Sequence, residues 1–126
     1  IENAERQTSG EIRVHIVGHV FGDIYKKGKK IFEKLGMTQT AERNGILFFV
    51  AEKSHKFAIL GDLGIHEKVH QEFWNELSHV MAEYFKKGEF NEGLCQAIQA
   101  CGEKLSLCFP GRIDDKNELT NQISRG

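Results

Sequence analysis

Residues 45–51, Gly-Ile-Leu-Phe-Phe-Val-Ala, are the longest apolar run in the chain. A half-exposed strand alternates apolar and polar residues. An unbroken run of this length reads instead as a strand covered on both faces. Glu52-Lys53-Ser54-His55 follows as a tight turn, and Lys56-Phe57-Ala58-Ile59-Leu60 is set to pair back antiparallel. Upstream, Ile12, Val14 and Ile16 recur at period two within residues 11–17, giving a strand with one apolar face and one mixed face.

Helical periodicity fills the remaining stretches. Phe21, Ile24, Tyr25, Ile31, Phe32 and Leu35 lie at helical spacing after the Gly18–Gly22 turn, with Gly36 as the stop. The other side of this helix carries Lys26, Lys27, Lys29, Lys30 and Lys34, most simply a solvated face, with anionic lipid headgroups as a second reading. Met37 to Asn44 reads as a polar loop. After Gly61-Asp62-Leu63-Gly64 breaks the third strand, one long helix is expected. Its stripe is Ile65, Val69, Phe73, Leu77, Val80, Met81, Tyr84 and Phe85, with Trp74 beside it and Lys87-Gly88 at its end. A last helix bears Phe90, Leu94, Ile98, Cys101, Leu105 and Cys108 and stops at Phe109-Pro110-Gly111. Ile1 to Thr8 reads as the tail of a further helix. Strand, helix, strand, strand, helix, helix gives an α/β sandwich with a small mixed sheet. The first two strands are parallel through a right-handed crossover and the third is antiparallel. The division is a single domain over residues 1–111 and a polar tail over 112–126.

Composition narrows the function classes. The 126 residues hold 17 Lys+Arg against 18 Asp+Glu, a formal charge of −1, and so lack the basic excess of a nucleic-acid binder. No apolar run is long enough to cross a bilayer, and no stretch reads as a secretory leader. Cys95, Cys101 and Cys108 are odd in number, match no zinc spacing and lie too far apart along one helix for a disulfide. They read as small apolar residues in a reducing, cytoplasmic protein.

The topology places the strongest candidate chemistry at one sheet edge, which gathers Ser9-Gly10-Glu11, Glu42-Arg43-Asn44-Gly45, Gly61-Asp62-Leu63-Gly64 and the first turn of the next helix with Glu67. Hard carboxylate oxygens at a glycine turn suit Ca²⁺ or Mg²⁺, and Arg43 stands close enough to neutralise a carboxylate or orient an anion. Asp62 and Glu67 also have a plain structural use at a helix N-terminus. The opposite edge holds His19, Asp23, Glu52 and His55. His66-Glu67-Lys68-Val69-His70 matches H-E-x-x-H, which on a helix sets two histidines on one face for zinc. A protease also needs a third ligand. Glu76 lies where some families place it, but Phe73 stands where they use Gly. Capture of a transition metal by His66 and His70 is therefore the more modest reading, and zinc is not the cofactor expected.

Taken together, Thr8-Ser9-Gly10-Glu11-Ile12-Arg13-Val14, residues 43–49, residues 57–65, and the Phe85-to-Leu94 stretch (FKKGEFNEGL) resemble the TPM domain family. The tail Phe109-Pro110-Gly111 with residues 114–119 looks like that family's short bacterial branch. Relatives include thylakoid-lumen photosystem repair proteins and bacterial proteins described as phosphatases. The resemblance implies a three-layer α/β/α sandwich, a divalent-cation site, usually Ca²⁺, and an acid-phosphatase-like activity. By position it implies Gly61 to Gly64 as the glycine turn and Glu67 as the acid one turn into the helix. Asp62 stands where many relatives have an aromatic, and Gln71 and Glu72 stand where relatives have an Asp. The expected metal residues are thus Asp62, Glu67, Glu11 and Glu42, with Arg43, Asn44, Gly61 and Gly64 shaping the pocket. The rival reading is a non-catalytic interaction module for a membrane-associated partner.

Overall fold

The computed structural model describes residues 10–109 and 123–125, so the helix expected at Ile1–Thr8 lies outside the described residues. Strand β1 spans Glu11–Val17, helix α1 Ile24–Lys34, β2 Gly45–Ala51 and β3 Lys56–Gly61. Helices α2 (Leu63–Lys68), α3 (Gln71–Lys86) and α4 (Phe90–Cys108) follow, and β4 is Ile123–Arg125. The sheet order is β3-β2-β1-β4. β1 runs parallel to β2 from the Glu11–Gly45 pair to the Val17–Ala51 pair, and β3 is antiparallel to β2 from Gly61 opposite Ile46.

β2 is the spine, as its apolar run requires, with all seven residues buried. Alternation divides them between two cores. Ile46, Phe48 and Val50 join Ile12 and Val14 of β1 against Ile65, Trp74, Leu77, Met81, Leu94, Cys101 and Leu105 of the later helices. Leu47, Phe49 and Ala51 face Phe32 of α1, Met37, Ala58 and Leu60. Helices therefore cover both faces, and the architecture is the three-layer α/β/α sandwich expected from the resemblance. At the start of α1, the Asp23 carboxylate accepts from the amides of Tyr25 (2.9 Å) and Lys26 (3.3 Å). This side-chain cap satisfies donors that the first turn leaves open. The helix gives way to Gly36, whose φ is 74°. That left-handed conformation is the one glycine adopts without strain at a helix C-terminus.

The chain departs from its sequence pattern in four places. The first is Phe21, which lies in the loop before α1 and is exposed instead of joining that helix's apolar stripe. Residues 37–39 form a 3-10 turn that buries Met37 completely, where the pattern predicts a polar loop. Residues 123–125, within the stretch set apart as a polar tail, add β4 parallel to β1 with Val14 opposite Ile123. The single long helix is in fact two. Val69 (φ −117°, ψ 127°) and His70 (φ −78°, ψ 155°) are extended, and α3 starts afresh after them. The two residues redirect the chain so that Ile65, Val69 and Trp74 all reach the same core. A straight helix would have favoured Phe73, which is only partly buried.

Candidate functional site

Parallel β1 and β2 and the returning β3 bring the chain segments before β1, before β2 and after β3 to one edge, as the topology requires. The Asp62 amide donates to the Gly45 carbonyl (3.0 Å), extending the β2–β3 ladder into the turn. Asp62 then caps α2: its Oδ1 accepts from the Leu63 amide (2.8 Å), and its carbonyl accepts from Ile65 (3.0 Å) and His66 (3.3 Å). A short acidic side chain is well suited to that position. The segment before β2 meets this cap directly. Arg43 Nε donates to Asp62 Oδ2 (2.5 Å) and its terminal nitrogen donates to Oδ1 (2.7 Å). The pair is two-pronged and charge-assisted, the stronger kind of hydrogen bond. Its first effect is to raise the guanidinium pKa, through the hydrogen bonds from Arg43 to Asp62. Arg43 itself has φ 51°, in the left-handed region that non-glycine residues seldom adopt.

Backbone contacts zip the two loops together. The Gly64 amide donates to the Arg43 carbonyl (2.8 Å). A Cβ on Gly64 would lie 2.8 Å from that carbonyl oxygen and would overlap the Glu42 carbonyl oxygen outright. Only glycine permits this approach. Thr40, which no motif in the sequence marks, organises the incoming loop. Its Oγ1 accepts from the Asn44 amide (3.1 Å) and its carbonyl accepts from the Arg43 amide (3.2 Å). The available signal was a short hydroxyl residue just before a turn. Asn44 Nδ2 donates to Glu42 Oε2 (3.1 Å), so Asn44 positions Glu42 while itself buried.

The four expected metal residues have different surroundings. Glu11 is buried at the start of β1, and Asp62 is buried with both oxygens engaged by Arg43. Glu42 and Glu67 are exposed, and Glu67 sits about one turn beyond Gly64. Among the described residues, no group of three or more His, Cys, Asp or Glu side chains is placed to hold a metal ion. The H-E-x-x-H reading is corrected on different grounds. His66 lies on α2 and tilts against Trp74 (5.9 Å between ring centroids), whereas His70 is the extended residue preceding α3. The helix break removes the shared face that zinc ligation at this spacing needs.

A groove of about 310 Å³ adjoins the Arg43–Asp62 pair, lined by Tyr25, Lys29, Phe32, Thr38, Leu60 and Leu63 among others. It places Lys29 and Arg43 within one concavity together with Glu33 and Asp62. At the opposite edge, Ser54 Oγ accepts from the Val20 amide (3.1 Å) and lies 3.4 Å from His19 Nδ1, so His19 and the 52–55 turn do meet there. In the sheet itself, His15 is buried and stacked on Phe49. Burial pushes its pKa down, with Arg13 and Lys34 adding to the effect. Cys95 is exposed, while burial pushes the Cys101 thiol pKa far up and leaves it unreactive. None of the described helices is long and apolar enough to cross a membrane.

A family model described as TPM domain matches residues 1–104. The NMR structure of BA42 protein from the psychrophilic bacterium Bizionia argentinensis superposes with a TM-score of 0.93 at 39% sequence identity, covering 100% of this chain and 87% of that one. Among curated proteins, none matches this sequence.

Proposed function

The chain belongs to the TPM domain family, and from that premise we propose that it is a binding domain whose loop edge takes a divalent cation of the calcium class. The observation that supports this most is the zipped loop pair. Gly64 bonds to the Arg43 carbonyl, so two loops from distant parts of the sequence are held together and the exposed Glu42 and Glu67 flank them. The donor set fits an open, weak site rather than a closed cage. Ca²⁺ takes six to eight oxygens, and carbonyls and waters can complete a shell that two carboxylates begin. Glu42 and Glu67 are the proposed ligands. Asp62 is already neutralised by Arg43 and serves as the frame that holds both loops, while Glu11 contributes from within the sheet edge.

When bound, the cation would supply Lewis-acid polarisation of an anionic group. Asn44 keeps Glu42 in place, and the Arg43–Asp62 pair fixes the distance between the loops. A phosphatase-like activity is a second reading, supported by the adjoining groove. Lys29 lies in it as a positive charge suited to a phosphoryl group, beside Glu33 and the mutually neutralised Arg43–Asp62 pair.

The test of binding is a Ca²⁺ titration followed by amide NMR. Shifts at Glu42, Gly64 and Glu67 are expected at up to millimolar Ca²⁺, with about ten-fold weaker binding in Glu42→Gln or Glu67→Gln. No shift at any of the three would overturn the cation reading. For the second reading, hydrolysis of p-nitrophenyl phosphate equal in wild type and Lys29→Gln would remove the groove from consideration.

A further inference from the structure

The face that the cation reading leaves unused is the outer side of α1. Its inner side is accounted for: Gly28 and Phe32 are buried against the sheet, and Ile24 and Ile31 are partly so. Lys26, Lys27, Lys29, Lys30 and Lys34 are all exposed, with Glu33 as the one acidic residue in the helix. The helix is therefore net +4 in a chain of net −1, and the rest of the molecule carries the opposing charge. Two of these lysines stand where the helix is better served by acids. Lys26 and Lys27 lie in or next to the first turn, which contains no acidic residue. There the positive end of the helix dipole opposes them. Helix stability therefore does not account for their placement.

An apolar feature sits at the same end. Phe21, in the loop just before α1, is 81% exposed, and Tyr25 in its first turn is 44% exposed. The Phe21 ring stacks on His19 (6.0 Å between centroids), and His19 in turn meets Ser54. Lys29 lies over the Tyr25 ring at 5.0 Å, within the range of a cation–π contact. A protruding aromatic, an amphipathic tyrosine and a spread of flexible cations thus occupy α1 and the loop that leads into it, with the exposed Asp23 cap between them.

We propose that this face docks on an anionic lipid surface, with α1 lying along the headgroups and Phe21 entering the headgroup–acyl boundary. Lysines suit a diffuse field of headgroup charge, because each is a mobile point charge on a long stem. Helix α1 holds no arginine, whose rigid fork recurs in nucleic-acid and specific carboxylate recognition. An exposed phenylalanine gains nothing in water, whereas at a membrane interface it is a common anchor. The net negative charge of the remaining chain orients the molecule with α1 toward the anionic surface.

The experiment is vesicle co-sedimentation of the full chain with mixed phosphatidylcholine–phosphatidylserine vesicles, against phosphatidylcholine alone. It is run at low and high salt. Binding is expected only to the anionic vesicles and should fall as salt rises. Each of Lys26→Gln, Lys30→Gln and Lys34→Gln should weaken it by about five-fold, and the triple variant by about a hundred-fold. Phe21→Ser should lose about ten-fold while leaving the salt dependence unchanged. All four positions are exposed, so thermal unfolding of the variants should match wild type and exclude misfolding. No binding to anionic vesicles at low salt would overturn the proposal, as would a triple variant that binds like wild type. Equal affinity for soluble polyglutamate would also overturn it, by marking the face as one for acidic protein.

Discussion

Gly64→Ala measures how strongly the two loops are locked. Gly64 occupies the first turn of α2 and its φ is not in the left-handed region, so alanine meets no backbone strain there. In an open helix the change would stabilise by about 1 kcal/mol. Here the new methyl would overlap the Glu42 carbonyl oxygen and lie 2.8 Å from that of Arg43. Both are backbone atoms, so no side-chain rotation relieves the clash and the loops must separate. Separation breaks the bond from the Gly64 amide to the Arg43 carbonyl. A buried amide left without its partner costs about 1–3 kcal/mol, and forcing extra volume into a packed site costs about 1–3 kcal/mol more. After the helix-propensity gain, a net loss of about 1–5 kcal/mol follows. For a domain of this size that lowers Tm by roughly 4–20 °C. Urea and thermal unfolding read the number directly. Gly18→Ala is the control, because a Cβ there meets only the Lys53 side chain at 3.7 Å. It should change stability by less than about 0.5 kcal/mol. A Gly64→Ala protein as stable as wild type would refute the steric lock and the loop convergence on which the cation reading rests.

Other consequences separate the roles within the same edge. Asp62→Ala removes both the α2 cap and the Arg43 partner and should destabilise by about 1–3 kcal/mol in urea unfolding, whereas Asp62→Asn keeps the cap and should lose distinctly less. His15 is held below its ordinary value of 6.5 by burial, so below that pH the unfolded chain binds more protons than the native one. Stability should be full above pH 6.5 and fall as the pH drops below it, and His15→Asn should flatten this slope in chemical denaturation between pH 7 and 5. Native alkylation followed by mass spectrometry should label Cys95 within minutes and Cys101 only on unfolding; fast labelling of Cys101 would contradict its burial. Phe48 is fully buried in the central strand. Phe48→Ala should cost about 3–5 kcal/mol in the same unfolding assay.

The local pattern of residues 45–51 was enough to place the central strand, because a seven-residue apolar run rich in β-branched and aromatic side chains and bounded by turn residues suits a strand buried on both faces. Together with the period-two pattern of β1 and the short turn at Glu52–His55, it carried the parallel–antiparallel order. That order in turn predicted that Arg43 and Asp62 would meet, and they do. Local pattern could not show the break at Val69–His70. Their residue types permit either helix or extended backbone, and the choice was made by the need to bring Ile65, Val69 and Trp74 into one core. The same limit applies to β4, since Ile123–Arg125 is too short to signal a strand until β1 offers it an edge. Thr40 is a further case, for its hydroxyl acquires a role only once Asn44 is placed above it. Sequence alone therefore determined the strand directions and the lysine face of α1, both set by periodicity along the chain, while the three layers were expected from the family resemblance. Tertiary structure decided which carboxylates are buried in ion pairs and which stay at the surface. Asp62 is buried against Arg43 and Glu42 is exposed beside it, because hydrogen-bond partners between loops are fixed by distances in space that spacing along a chain does not contain.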